Sequence, residues 1–197
     1  MPDAAGLLVR PPEARWLYVL GPGAGGGMRQ PFLERIAQAL AATGIATYRY
    51  EIGSTNNAAA ERRVREAVGQ AAAAAPGLPL LAGGKSFGGR MTSQAQAKEP
   101  LPGVRGLVFL GFPLHPPGKP GTERAAHLSA VGIPMLFVQG TRDAFAAHEL
   151  LEPTVAGLGQ RATLHLIEEG DHSFKGTTAD ELARIISEWT TCLGTGS

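Results

Sequence analysis

The feature that most constrains this chain is an apolar run that ends in glycines and a single serine. Residues 78–82 are typical of a buried strand, and Met91 begins a segment compatible with a helix. Between them, Gly84, Ser86 and Gly88 form a G-x-S-x-G pattern, which is typical of a serine held at a sharp strand-to-helix turn. Such a serine has strained backbone angles, and only glycine leaves space on either side of it. We therefore predict that Ser86 is a nucleophile raised above the end of a strand.

The same stretch permits two other interpretations. Gly84-Lys85-Ser86 resembles the end of a phosphate-binding P-loop, which requires a glycine five positions before the Gly-Lys pair. Pro79 occupies that position, so the P-loop interpretation fails. A glycine-rich turn with an inactive serine remains open on this pattern alone.

Composition places the chain among ordinary globular proteins and removes several classes of function. Its 197 residues are enough for one core, so we predict a single domain over 1–197. The net charge of +1, without a basic block, gives no basis for binding nucleic acid or an anionic membrane. The only cysteine, Cys192, fits a reducing compartment. Because no apolar run approaches the roughly 20 residues of a spanning helix, and no secretory signal is evident, we expect a cytoplasmic protein.

Segments typical of strands alternate with segments typical of helices. This alternation predicts an α/β protein with a mostly parallel sheet of about six to seven strands, covered by helices on both faces. The expected strands cover residues 7–9, 16–20, 45–50, 78–82, 104–110, 133–138 and 162–167, and the clearest helices lie near 32–40, 57–75, 122–131 and 182–189.

Ligand chemistry in such a sheet belongs at the carboxyl ends of the strands. Asp143 follows the strand expected at 133–138, where it could cap a helix or serve as an acid. His172 follows the strand at 162–167, and an exposed histidine without a role is its alternative. With Ser86 they occur in the order Ser…Asp…His, which is the chain order of α/β-hydrolases. We predict Ser86 as nucleophile, Asp143 as acid and His172 as base.

The glycine loop after the strand at 16–20 has two interpretations. Gly21–Gly26 matches G-x-G-x-x-G, the dinucleotide-binding fingerprint, and Glu51 could serve as its acidic partner. In a hydrolase, the Ala24 N–H would instead join the Phe87 N–H in an oxyanion hole. The loop alone does not separate these possibilities. A dinucleotide-binding oxidoreductase explains the loop but leaves Asp143 and His172 as coincidences, so we favour the hydrolase.

Four motifs together resemble one family of α/β-hydrolases. The family contains small bacterial hydrolases related to testis-expressed protein thirty and to a subunit of the NSL chromatin acetyltransferase complex, and it is more distantly similar to dienelactone hydrolases. The resemblance implies an α/β-hydrolase fold, the same Ser86, Asp143 and His172 assignments, and an ester-like substrate. The motifs cover residues 83–91, 111–120, 139–143 and 170–175.

The chain departs from the family pattern at two places. The family's first loop usually reads histidine-glycine-x-glycine, and Pro22 stands where the histidine would be. Ala24 remains available as an oxyanion donor, although the anchoring of the loop is expected to differ. After Tyr50, an aromatic-rich segment of the family is replaced by residues 52–56, a change that bears on substrate preference.

We therefore expect a serine hydrolase that cleaves a small or accessible ester or thioester through an acyl-enzyme. The connection over 111–132 is too short for a cap domain and a helix, so the site should be open and lid-less. We expect no cofactor and no metal, since His115, His127, His148 and His165 lack a shared ligand spacing. A catalytically silent binding or scaffold protein of the same fold is the main alternative.

Three further side chains near the predicted site are expected to have minor roles. Lys85 is expected to be a solvated or rim residue rather than a catalyst, because the triad already supplies a base. Asp171 is expected to shape its turn. His115 is expected at the surface, with a position at the pocket border as the alternative.

Overall fold

The computed structural model describes residues 6–194. They form a seven-stranded sheet in the order β1-β3-β2-β4-β5-β6-β7. All neighbouring strands are parallel except β1, which is antiparallel to β3. The predicted fold class, a mostly parallel sheet between helices, is confirmed. The strands are β1 (Leu7–Val9), β2 (Trp16–Gly21), β3 (Ile45–Arg49), β4 (Leu80–Lys85), β5 (Val104–Leu110), β6 (Met135–Gly140) and β7 (Ala162–Ile167).

Helices cover both faces of the sheet, and each face has its own apolar cluster. Ile36 and Ile186 belong to the cluster on one face, and Val64 and Met91 belong to the cluster on the other. Burying a large aliphatic side chain stabilises a fold by about 1.5–3 kcal/mol, so both clusters are needed. The helices are α1 (Pro31–Ala42), α2 (Asn57–Ala74), α3 (Phe87–Lys98), α4 (His148–Ala156) and α5 (Ala179–Cys192), with 3₁₀ helices at Glu123–Ala130 and Gly159–Arg161.

Local sequence signals explain where α2 and α5 begin. The Asn56 side chain accepts a hydrogen bond from the Ala59 N–H, and the Thr178 side chain accepts one from the Glu181 N–H, each at 3.1 Å. Each side chain satisfies an N–H group that lacks a partner inside its helix. The helical spacing predicted an apolar face at 182–189, and this face of α5 is buried.

Two central strands begin and end later than the sequence predicts. The strand expected at 78–82 is Leu80–Lys85, and the strand expected at 133–138 is Met135–Gly140. Pro79 and Pro134 lack the N–H that a central strand needs. At the other end, β4 continues through two glycines, which carry no alternating side-chain pattern. As a result, Ser86 follows the last strand residue directly.

The connection between β5 and β6 contains only the 3₁₀ helix Glu123–Ala130. The helix predicted at 122–131 is therefore present in a tighter form. Within residues 6–194 no cap covers the carboxyl ends of the strands, as predicted. No helix in this part of the chain combines the length and the apolar character needed to cross a bilayer.

Candidate active site

Ser86 occupies a strained turn between β4 and α3. Its φ of 49° and ψ of −113° fall in a region that residues with a side chain rarely adopt. A Cβ at Gly84 would lie 2.2 Å from the Gly21 oxygen, and a Cβ at Gly88 would lie 2.6 Å from the Pro22 oxygen. The two glycines of the pattern are therefore required because the glycine loop after β2 passes directly against the turn.

The structure brings the three predicted site residues together in series. His172 Nδ1 is 2.7 Å from Asp143 Oδ2, and His172 Nε2 is 2.9 Å from Ser86 Oγ. A carboxylate can only accept, so the histidine donates from Nδ1 and presents the Nε2 lone pair to the serine hydroxyl. The Asp143 side chain is fully buried, whereas the imidazole is 23% exposed. The imidazole can therefore be reached by a ligand, while its carboxylate partner is shielded from water.

Asp143 is held by donors on both of its oxygens. Its Oδ2 also accepts from Gln139 Nε2 at 2.6 Å, and its Oδ1 accepts from the Phe145 N–H at 2.8 Å. The sequence suggested helix capping as an alternative role, but α4 begins only at His148, and the carboxylate turns its own loop instead. Gln139 was missed, although a polar residue at the end of an apolar strand was a signal for it.

His115 was expected at the surface, and this expectation is wrong. The residue is 3% exposed, and its Nε2 accepts from the Ala147 N–H at 2.8 Å. Its backbone N–H donates to the Phe145 oxygen at 2.9 Å. His115 therefore fastens the loop that carries Asp143 to the segment after β5. Its sequence neighbourhood, rich in proline and glycine, gave no indication of this contact.

Lys85 was expected to be a solvated or rim residue, and the expectation of a solvated side chain is wrong. It is 9% exposed, and its Nζ donates to the His172 backbone oxygen at 2.5 Å. Burial lowers the pKa of Lys85 to about 8, against the opposing effects of Asp143 and Asp171. The strand that delivers the serine thus contacts the loop that delivers the histidine through this ammonium group.

The two predicted oxyanion donors border Ser86. Phe87 is the first residue of α3, where the N–H has no partner inside the helix. Within residues 6–194 neither the Ala24 N–H nor the Phe87 N–H donates to a protein acceptor. The Pro22 carbonyl packs against Gly88, so the loop lies directly beside the turn.

Comparison with known families identifies the chain. The alpha/beta hydrolase domain family matches residues 14–189, which include the whole sheet apart from β1. The chain belongs to this family. The matched range also contains every side chain of the site described above, so the site lies within the family domain.

Solved structures with the same fold are similar over nearly the whole of this α/β hydrolase. A dienelactone hydrolase from Anabaena variabilis has a TM-score of 0.76 at 20% identity, covering 95% of this chain and 90% of that one. An alpha-beta serine hydrolase homologue from Coxiella burnetii has 0.77 at 18%, covering 93% and 89%. A serine hydrolase without a lid from Xanthomonas campestris has 0.73 at 19%, covering 100% and 98%. At these identities the similarity concerns the fold.

A cleft of about 720 Å³ opens beside Ser86 and His172 in the α/β hydrolase. The residues that line it include the aromatic Phe32, Phe145 and Phe174 and the basic Arg35, Lys85 and Lys175. A second cleft of about 530 Å³, lined by residues 23–26 and 51–55, lies on the other side of the Ala24 loop. Another cleft, of about 860 Å³, lies around Trp16 and Pro79 at the opposite end of the strands and does not reach the serine.

Glu51, the acidic partner required by the dinucleotide interpretation, is engaged with the glycine loop itself. Its Oε1 accepts from the Met28 N–H at 3.0 Å. A Cβ at Gly27 would lie 2.8 Å from both of its carboxylate oxygens. The carboxylate therefore anchors the end of the loop. This contact accounts for an acidic residue at position 51 without a role in binding a ribose.

A second serine–histidine pair lies on the α3 side of the sheet. Ser93 Oγ is 2.7 Å from His127 Nε2, but the same hydroxyl donates to the Arg90 oxygen at 2.9 Å. Ser93 therefore accepts from the imidazole and cannot give up its proton to it. Burial, followed by the charge of Arg90, lowers the pKa of His127 to about 4. Because Ser93 has no exposed surface, this pair joins α3 to the 3₁₀ helix rather than forming a site.

Metal ligation finds no support in the described part of the chain. Among residues 6–194 no group of three or more His, Cys, Asp or Glu side chains is placed to hold an ion.

Proposed function

We propose that this α/β hydrolase is a serine hydrolase that cleaves an ester or thioester through an acyl-enzyme. Ser86 would be the nucleophile, His172 the general base and Asp143 the acid of the triad. The observation that carries the proposal is the unbroken hydrogen-bond series from Asp143 through His172 to Ser86 Oγ. It starts at a buried carboxylate and ends at a strained serine beside an open cleft.

The geometry supports the usual division of labour in acyl transfer. As Ser86 Oγ attacks the carbonyl carbon, its proton passes to His172 Nε2, and the buried Asp143 carboxylate stabilises the resulting imidazolium. His172 then donates that proton to the leaving alcohol or thiol. A water molecule, deprotonated by His172, attacks the acyl-enzyme; the bond to Ser86 Oγ then breaks, the acid leaves, and His172 returns the proton to Ser86 Oγ.

The negative oxygen of the tetrahedral intermediate requires donors that are already in place. Ala24 and Phe87 lie beside Ser86, and among residues 6–194 neither of their N–H groups donates to a protein acceptor. Phe87 also lies at the positive end of the α3 dipole. Losing one such donor typically lowers kcat by about 100-fold or more, so the position of the Ala24 loop is part of the mechanism.

The form of the cleft favours small or accessible substrates. Aromatic walls beside Ser86 suit an apolar acyl or alcohol group, and no cap within residues 6–194 has to open first. We infer that the closer kinship is with the small bacterial hydrolases related to testis-expressed protein thirty, because four motifs of that family are present. Large lipids that depend on a lid are disfavoured as substrates.

Two assays with one matched control test the proposal. The purified protein should be labelled by a fluorophosphonate probe and should hydrolyse p-nitrophenyl acetate. Ser86→Ala should lose the labelling and reduce turnover by at least about 1,000-fold. Ser93→Ala is the control, because Ser93 also contacts a histidine but is buried and already donates its proton.

The outcomes separate the hydrolase from a silent scaffold of the same fold. Labelling and turnover that persist in Ser93→Ala but disappear in Ser86→Ala support the proposal. A folded wild-type protein that neither reacts with the probe nor turns over any ester in an acyl-length series would indicate the scaffold. Labelling that survives in Ser86→Ala would refute the nucleophile assignment.

A further inference from the structure

Lys85 links the residues proposed as nucleophile and base. It precedes Ser86 in the chain, and its Nζ donates to the His172 backbone oxygen at 2.5 Å. Within residues 6–194 this carbonyl accepts from no other protein donor. The Lys85 side chain and this one hydrogen bond therefore connect the backbone next to Ser86 with the backbone of His172.

We propose that Lys85 is a positioning residue for the His172 imidazole. Its ammonium group fixes the peptide from which the imidazole projects, and thereby sets the distance between Nε2 and Ser86 Oγ. This inference rests on the proposed function, since it assigns a role within the same site. Lys85 itself does not touch the reacting atoms in this role.

The loop around His172 needs such a restraint. Phe174 lies two residues further on with a φ of 60°, a conformation that is costly for a residue with a side chain. The Lys85 ammonium lies 5.2 Å from the centre of the Phe174 ring and 6.0 Å from that of Phe32. Both rings line the cleft and attract the cation. The lysine thus holds the loop at its backbone and through an aromatic neighbour.

The restraint depends on charge. Burial lowers the pKa of Lys85 to about 8, whereas Asp143 and Asp171 raise it. His172 faces the same ammonium, and the other cations of the cleft wall are Arg35 and Lys175. A charge-assisted hydrogen bond is roughly twice as strong as a neutral one. The hold on His172 should therefore weaken as pH rises through about 8.

The pH dependence of ester hydrolysis tests the inference. For the wild-type protein we expect kcat/KM to fall above about pH 8. Lys85→Met should lower kcat at pH 7 by about 10-fold with KM within about twofold, because a small misplacement of the base mainly affects the chemical step. The fall above pH 8 should be absent in this variant. Lys119→Met, which alters an exposed lysine outside the cleft walls, should match the wild type.

Lys85→Arg provides a second variant, whose result does not depend on whether the fold accepts a methionine at this position. The guanidinium remains charged at every accessible pH, so any activity of this variant should persist beyond pH 10. A decline near pH 8 that is unchanged in Lys85→Met or Lys85→Arg would overturn the inference. So would wild-type activity that stays constant to pH 10, or a kcat of Lys85→Met within twofold of the wild type.

Failure of this inference differs from failure of the proposed function. If the wild type shows no labelling that depends on Ser86, the hydrolase proposal itself fails. If the labelling depends on Ser86 but the pH profile does not depend on Lys85, only the positioning role fails.

Discussion

The Gln139 amide donates to the same Asp143 oxygen that faces His172. The Gln139 Nε2 to Asp143 Oδ2 distance is 2.6 Å, and the His172 Nδ1 to Asp143 Oδ2 distance is 2.7 Å. The other end of the amide accepts from the Phe112 N–H at 2.8 Å. Gln139 is fully buried, so this amide fixes the carboxylate against the backbone that follows β5.

Replacing Gln139 should therefore affect both stability and catalysis. Gln139→Met keeps the volume but leaves the Phe112 N–H without an acceptor, which typically costs about 1–3 kcal/mol. Asp143 also loses one donor, so we expect kcat to fall while KM changes little. Urea denaturation and steady-state kinetics measure the two effects. Gln160→Met changes an exposed glutamine and should alter neither. An unchanged midpoint in Gln139→Met would contradict the amide's structural role.

The glycine after the serine turn should not tolerate a methyl group. In Gly88→Ala the new Cβ would meet the Pro22 oxygen at 2.6 Å and the Gly21 carbon at 2.7 Å. We expect destabilisation of about 1–3 kcal/mol from overpacking, together with loss of activity as the Ala24 loop moves.

Gly69→Ala is the matched control for that substitution. Gly69 lies inside α2, and its added Cβ would have no neighbour within 4 Å. Alanine should stabilise this exposed helix position by about 0.5–1 kcal/mol. Thermal melting of both variants gives the comparison, and two shifts of the same sign would count against the packing argument.

Acid should destabilise the protein through His127. Its folded pKa is lowered to about 4 from 6.5, so the unfolded chain binds more protons between these values. The stability that His127 contributes is therefore complete above pH 6.5 and lost as pH falls through this window toward 4. Since the ring is only partly buried, we expect a loss of about 1 kcal/mol after allowance for solvent screening.

His127→Gln isolates that contribution. The glutamine amide can still donate to Ser93 but does not titrate, so stability should fall less between pH 6.5 and 4 than in the wild type. Denaturant melts across this range provide the measurement. His165→Gln changes an exposed histidine and should parallel the wild type. Equal acid sensitivity in His127→Gln would mean that other groups control this range.

Lys85 should stabilise the protein as the pH rises into the alkaline range, with the same sign of pH dependence as His127. Its folded pKa of about 8 lies below the ordinary value of 10.5, so the unfolded chain binds more protons between these values. Stability should therefore rise with pH across this window, by at most about 1.4 kcal/mol per pH unit.

Comparison with Lys85→Met removes the titrations that both proteins share. The wild type should gain stability relative to the variant as pH rises from 8 toward 10.5, in denaturant melts at several pH values. Lys119→Met should show no such difference from the wild type. If the difference in unfolding free energy between the wild type and Lys85→Met stays constant with pH, then burial does not lower the pKa of Lys85.

Much of the fold and of the candidate site could be predicted from local patterns. Alternating apolar segments and helix-capping residues act over a few neighbours, so they gave the order of strands and helices. The ends of β4 and β6 were misplaced because glycines carry no side-chain pattern. Lys85 and His115 were assigned wrongly, because burial depends on partners distant in the chain. The Lys85 side chain bonds to a residue 87 positions away in the chain, and the His115 side chain bonds to one 32 positions away.

The sequence by itself determined which chemical groups were available and in what order. A serine between glycines, followed later by an aspartate and a histidine at strand ends, predicted one edge of one sheet as the site. Only the tertiary structure decided how that edge is held. A hydrogen bond requires its donor and acceptor to lie about 3 Å apart. The order of the strands does not predict which side chains come this close. The contacts of Lys85 with His172 and of Gln139 with Asp143 exist because packing brings separate loops together.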